Sequence, residues 1–117
     1  MRYIFLLLLL GSALYSDAAY NRGETLFFSK ACSSCHGASA EGSTTYPRLA
    51  NKKEVYLLKK LHYYKLGKVS SVSQQMMAQF IQKLTEKNIK DLAYFFSHHK
   101  KVEIDDVSDD ILGGFGS

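Results

Sequence analysis

Apolar residues recur at helical spacing in several segments of the chain, and no segment shows a persuasive strand pattern. Helices are therefore predicted over residues 20–31, 53–66, 75–83 and about 86–100. The last has the clearest signals, with Thr85 as its N-cap and an apolar stripe formed by Ile89, Leu92, Ala93 and Phe96. Residues 32–37 are expected to close the first helix, and 38–51 and 68–74 are polar loops. The pattern predicts an all-α fold.

The first 18 residues differ from the rest of the chain. Arg2 gives a positive start, Tyr3–Leu10 is an unbroken apolar run, and small or polar residues follow. This order is typical of a secretory signal peptide, with cleavage expected after Ala18 because Ser16 and Ala18 are both small. An uncleaved membrane anchor is the alternative, although the apolar run is far shorter than the ~20 residues that span a bilayer. We therefore expect a periplasmic location.

Charge divides the remaining chain into a basic body and an acidic end. Residues 19–102 carry 14 Lys or Arg and five Asp or Glu, a net charge of +9, whereas residues 103–117 carry five acidic residues, a net charge of −5. We expect a signal peptide at 1–18, one small domain at 19–102 and an acidic C-terminal tail at 103–117. The tail either shields part of the basic surface or packs on the body or on a partner. Export argues against a nucleic-acid partner.

Two cysteines stand three positions apart and a histidine follows at once, in Cys32-Ser33-Ser34-Cys35-His36. This is the attachment signature of c-type haem. Two thiols at this spacing can form thioethers to the two vinyl groups of one porphyrin, and the next imidazole then reaches the iron. The alternatives are a thioredoxin-like redox pair, a zinc site and a plain disulfide. The sequence shows no strand before the motif and no second ligand pair for zinc, and a disulfide leaves His36 unexplained.

The chain resembles class I cytochrome c, the small helical bacterial electron carriers, over about residues 20–100. Gly23 and Phe27 match the glycine and the aromatic residue on that family's first helix. Leu92-Ala93-Tyr94-Phe95 resembles its Leu-Ala-x-Tyr, with Phe95 in place of the tyrosine, and Tyr46-Pro47-Arg48-Leu49 resembles its Pro-x-Leu loop. The resemblance implies a cytochrome c fold of about three to five helices around one covalently attached haem c per chain. It also implies that the first and last helices cross.

The resemblance assigns roles to the residues around the haem. Cys32 and Cys35 would attach it, and His36 would be one axial iron ligand. The carbonyl of Pro47 would accept a hydrogen bond from His36 and orient its ring. Arg48 would contact a haem propionate or remain a solvated surface residue.

The family's sixth iron ligand is a methionine shortly before the last helix. The spacing to Leu84-Thr85-Glu86 selects Met77, with Met76 as the alternative. A histidine and a thioether together fill both axial positions, so what remains is outer-sphere transfer of one electron rather than an enzymatic reaction. A Met ligand raises the reduction potential, as in electron carriers.

The leading functional hypothesis is a periplasmic carrier between a membrane quinol oxidoreductase and a terminal oxidase or peroxidase. A second is a small haem subunit of a larger dehydrogenase or oxidase, and a third is a gas or redox sensor. The basic body suits transient docking on acidic surfaces of redox partners, although the lysines could serve solubility alone. We expect a monomer with peripheral membrane contact at most.

Overall fold

The structure, a computed structural model, describes residues 2–99, with side chains described for Tyr3 and from Asp17 onward. Within that range the chain forms helices and loops, with no strand. The helices are α1 (Arg2–Ser29), α2 (Ser33–His36), α3 (Glu54–Lys65), α4 (Val72–Ile81) and α5 (Glu86–Ser97). The predicted all-α fold is confirmed. The acidic tail at 103–117 lies outside the described residues.

The crossing of α1 over α5 is the centre of the fold, as the resemblance implied. Gly23 is buried there, and a Cβ at its position would meet the backbone carbonyl of Asp91 and lie 2.5 Å from the Cβ of Phe95. Phe27, one turn later, is fully buried, with its ring centroid 5.5 Å from those of Phe95 and Phe96. Glycine is required at the crossing because no side chain fits between the two backbones.

A partly buried ion pair between Arg22 and Asp91 stabilises the same crossing. Arg22 Nε donates to Asp91 Oδ2 at 2.9 Å, and Arg22 Nη2 donates to Asp91 Oδ1 at 3.1 Å. Asp91 is only 5% exposed although its side chain is an acid. The two parallel hydrogen bonds fix the rotation of α1 about its axis relative to α5.

Helix α1 begins well before the predicted start at residue 20. It runs without a break from Arg2, so its first part covers the segment expected to be a signal peptide. No helix in the described part of the chain is both long and apolar enough to cross a membrane. The cleavage after Ala18 stays a prediction.

The haem motif does not close the first helix, contrary to the prediction. Helix α1 ends at Ser29, and Ala31 turns the chain with a φ of +60°. Cys32 N donates to Phe27 O at 3.0 Å and Ala31 N donates to Phe28 O at 3.2 Å, which is the Schellman pattern of a helix C-terminus. Segment Ser33–His36 then forms a helix of its own.

Three further helix boundaries differ from the predictions, and one of them is the end of α4, at Ile81 instead of residue 83. Helix α4 begins at Val72 instead of residue 75, because the Ser71 side chain accepts a hydrogen bond from Gln74 N at 3.2 Å and caps it. Helix α5 ends at Ser97, about three residues early, whereas its predicted Thr85 cap is present. Helix α3 matches its predicted span to within one residue at each end.

The turn between α4 and α5 is tied to α3. Lys65 Nζ donates to the carbonyl oxygen of Gln82 at 2.8 Å and also to that of Leu84. Nearby, His62 Nε2 lies 2.8 Å from Glu86 Oε2. These contacts hold the end of α3 against the start of α5 and fix the turn through which α4 leads into α5.

Candidate haem site

One cavity brings together every site residue predicted from the sequence. It has a volume of about 470 Å³ and lies between α2, the loop at 45–49, α3, α4 and α5. Ligand pockets in proteins are typically about 300–1,000 Å³. The predicted residues among its walls are Cys32, Cys35, His36, Pro47, Arg48, Met76 and Met77.

His36 is buried and its ring is oriented by the loop. Its side chain lies at the end of α2, and the residue is 6% exposed. Nδ1 is 2.9 Å from the backbone oxygen of Pro47, and a carbonyl can only accept, so Nδ1 carries the proton and donates. That tautomer leaves the lone pair on Nε2, the arrangement that a metal-binding histidine requires.

The two cysteines lie at the start of α2 and line the cavity together. Cys32 is half-buried, Cys35 is exposed, and their thiols are not joined. Burial raises the pKa of the Cys32 thiol, and the neighbouring Cys35 raises it further. A redox-active or nucleophilic cysteine needs the opposite, a lowered pKa. The thioredoxin-like interpretation is therefore disfavoured.

A zinc site is equally poorly supported. Among the residues that the structure describes, no group of three or more His, Cys, Asp or Glu side chains is placed to hold a metal ion. Structural zinc usually takes four such ligands. The thiols and His36 instead face a wide, largely apolar cavity, which suits a flat organic cofactor.

Both candidate methionines line the cavity, but their surroundings differ. Met77 is partly buried and packs against the hydrophobic core, whereas Met76 is 53% exposed. Both lie inside α4, where consecutive side chains point about 100° apart. Only one of the two sulfur atoms can therefore be directed at a given point in the cavity.

Arg48 is at the edge of the cavity and is exposed. Its Nε donates to the backbone oxygen of Ala50 at 3.1 Å, which directs the guanidinium along the loop. The proposed propionate contact stays a prediction.

Sequence reasoning missed part of the cavity wall. The edge of the Tyr46 ring faces His36 with 6.2 Å between centroids, a contact that depends on how the loop folds. The deeper walls are formed by core residues, namely Leu57, Leu61, Ile81, Leu92 and Phe96. The sequence analysis placed Leu92 and Phe96 on the apolar stripe of the last helix but did not predict that they face a cavity. Of the tyrosines on α3, Tyr56 and Tyr64 line the cavity, whereas Tyr63 stacks edge-on against Tyr64.

Residues 20–100 match the family model described as cytochrome c. This chain belongs to the cytochrome c family. It is 31% identical over 80 residues to cytochrome c-552 of Acidithiobacillus ferridurans, an alignment covering 68% of this chain and 34% of that protein. It is 31% identical over 98 residues to cytochrome c4 of Pseudomonas aeruginosa, covering 83% of this chain and 47% of that protein.

The chain thus spans about a third to a half of the length of the curated relatives it matches. Membership of the cytochrome c family makes haem c, covalently bound, its cofactor. The cavity fits that group: it offers two thiols at the attachment spacing, an imidazole with a free Nε2, two thioethers and apolar walls. The helical architecture and the class I resemblance agree with the family match.

Proposed function

We propose that this cytochrome c is a one-electron carrier whose haem is attached through Cys32 and Cys35 and whose iron is bound by His36 and Met77. The observation that carries the proposal is the convergence of both thiols, the oriented His36 and the two methionines on one cavity. Met77 is preferred to Met76 because its side chain packs into the core, where a ligand can be held in a fixed place.

Haem c supplies a single-electron couple, and the surrounding residues decide how that couple is used. The hydrogen bond from His36 to Pro47 increases the basicity of the imidazole and fixes its plane. The apolar walls formed by Leu57, Leu61 and Ile81 exclude water. His36 and Met77 would hold the iron, and a haem held in this way would supply electron transfer without binding exogenous ligands.

The charge of the body supports transient docking with acidic redox partners. Lys30 and Lys60 line the cavity mouth, and Lys52, Lys53 and Lys59 are exposed nearby. Positive charge around the place where electrons leave would steer acidic surfaces towards it. We propose a periplasmic monomer that carries electrons from a membrane quinol oxidoreductase to a terminal oxidase or peroxidase.

A second candidate function is that of a haem subunit within a larger dehydrogenase or oxidase. Exposed apolar side chains outside the cavity wall, Val55 on α3 and Val72 on α4, favour it. Isolation of the native protein from membranes separates the two: a free carrier is released by moderate salt as a monomer, whereas a subunit copurifies with fixed stoichiometry.

Replacement of each methionine in turn by alanine tests the proposed iron ligation. Met77→Ala should remove the iron–thioether absorption band of the oxidised protein, lower the reduction potential and open the reduced protein to carbon monoxide. Met76→Ala is the matched control, because it removes the same side chain one position away and should change none of these. The opposite behaviour of the two variants would assign the iron to Met76. Carbon monoxide binding to the unaltered protein would favour a sensor.

A further inference from the structure

The solvent side of α3 carries apolar and cationic side chains together. Val55, Tyr56 and Tyr63 are 79%, 48% and 38% exposed. Between them Lys59 and Lys60 are also exposed, and Lys60 Nζ lies 5.9 Å from the centre of the Tyr56 ring. We call these five residues the outer α3 surface. Among residues 2–99 no element covers it, because α3 packs on α4 and α5 through its other side, at Leu57 and Leu61.

The outer α3 surface borders the haem cavity. Tyr56 and Lys60 belong both to this surface and to the cavity wall. Whatever covers the surface therefore also covers one side of the cavity mouth, where a redox partner would approach.

The C-terminal end of the described chain lies close to the start of α3. Asn51 N donates to Phe96 O at 2.7 Å, and His99 N donates to the same oxygen at 3.3 Å. Lys52 and Lys53 follow Asn51 directly and lead into α3. The segment beyond residue 99 therefore starts beside the lysine-rich beginning of α3.

The chemistry of that segment complements the outer α3 surface. Residues 103–112 alternate acidic and apolar side chains, with Glu103, Asp105, Asp106, Asp109 and Asp110 interspersed with Ile104, Val107, Ile111 and Leu112. Helix α3 has 12 residues and is about 18 Å long. Eight extended residues reach about 26 Å, so the acidic stretch can follow the whole helix.

We propose that residues 103–112 dock on the outer α3 surface, with their carboxylates on Lys59 and Lys60 and their aliphatic side chains on Val55 and Tyr56. Tethering next to Lys52 gives the segment a high effective concentration there, so weak individual contacts suffice. The docked segment shields the lysines from acidic partners, and screening by salt releases it. Only this consequence for partners rests on the proposed function.

Zero-length carbodiimide cross-linking of the haem-loaded full chain tests the contact directly, because it joins only amines and carboxylates that touch. At low salt we expect intramolecular cross-links from Lys59 or Lys60 to the acidic residues of 103–110, identified by mass spectrometry in the monomer. Their yield should fall at least about fivefold at 0.5 M salt, where the Debye length is only about 4–5 Å.

A matched pair of charge reversals checks the assignment of the cross-links. Lys59→Glu with Lys60→Glu removes the reactive amines and should abolish tail cross-links to the outer α3 surface, whereas Lys87→Glu with Lys90→Glu, on the exposed side of α5, should leave them unchanged. Cross-links mainly to α5 lysines, cross-links only within dimers, or no cross-links would each overturn the proposal. Cross-linking does not depend on iron ligation or electron transfer, so its failure is distinguishable from a failure of the proposed function.

Discussion

Single residues decide which chemistry the cavity can support. The carbonyl of Pro47 fixes the tautomer of His36, and burial raises the pKa of the Cys32 thiol. Neither effect needs a long-range charge. Both follow from where α2 and the loop at 45–49 place a few atoms.

His99 is a partly buried titratable group outside the proposed iron ligation. Both ring nitrogens of His99 are buried without a hydrogen-bond partner among the described residues. The rings of His99 and Phe95 lie edge to face, with their centroids 5.3 Å apart. Burial lowers the pKa of His99 below its ordinary 6.5; Arg48 acts in the same direction, and the carboxylates of Glu24 and Glu41 oppose it. The folded protein therefore disfavours the protonated ring.

The pH dependence of stability follows from the downward shift of the His99 pKa. The unfolded chain takes up the proton near pH 6.5 and the folded protein only at lower pH, so the free energy of unfolding should fall as pH decreases below about 6.5. His99→Phe should flatten this slope, and the matched change His98→Phe, at an exposed ring, should retain it. Denaturant titrations of the holoprotein between pH 7.5 and 5 measure both. Equal slopes in the two variants would contradict the assignment.

The spacing of the haem motif alone predicts Cys32, Cys35 and His36, whereas Pro47 and Arg48 were predicted only through the family resemblance. Thioether attachment at two vinyl groups dictates the separation of Cys32 and Cys35 and the position of His36. The contact of Tyr46 with His36 has no such local rule, because it depends on how residues 38–51 fold. Met77 was selected by register alone, and its packing against the core is information that only the fold supplies.

At the scale of elements, the crossing of α1 and α5 holds the domain together. The close approach of the two helices depends on Gly23. Gly23→Ala would place a methyl group against the Asp91 carbonyl and the Phe95 Cβ. We expect a loss of about 3 kcal/mol in the free energy of unfolding, because two backbones must separate.

Gly67→Ala provides the comparison for that substitution. Gly67 has a φ of +71°, and an added Cβ would meet only the flexible Gln82 side chain at 3.3 Å, so we expect a loss of about 1 kcal/mol from backbone strain. Thermal or denaturant unfolding of both holoproteins measures the difference. A Gly23→Ala variant as stable as Gly67→Ala would show that the helices do not cross this closely.

The existence of the main helices was predictable from periodicity, whereas the end of α1 and the start of α4 were not. The break between α1 and α2 falls at Ala31, a residue that rarely adopts a positive φ, so nothing in the local sequence indicated it. The early start of α4 rests on one hydrogen bond at Ser71, a residue with serine neighbours that could equally belong to a loop.

At the scale of the whole molecule, the cofactor completes the core. The cavity of about 470 Å³ is walled by the same leucines and phenylalanines that would otherwise pack on one another. Without the cofactor these side chains lose their packing partners on one side, and a small domain has little stability to spare for such a loss.

Haem attachment should therefore be coupled to folding. Cys32→Ala with Cys35→Ala should abolish haem staining on a denaturing gel and also greatly reduce the helical circular dichroism of the chain. Retained covalent haem in the double variant would refute attachment at these residues. Full helicity without haem would show that the walls collapse onto one another instead.

The contact of Lys65 with the carbonyls of Gln82 and Leu84 has a consequence for the speed of electron transfer. It closes the turn that follows α4 with charge-assisted hydrogen bonds, while Ser71 caps the other end of that helix. If Met77 is the iron ligand, as proposed, its thioether lies on a helix secured at both ends and would keep its place when the iron changes oxidation state. Little nuclear rearrangement would then accompany each transfer, so the reorganisation energy would be small and a modest driving force would give fast exchange.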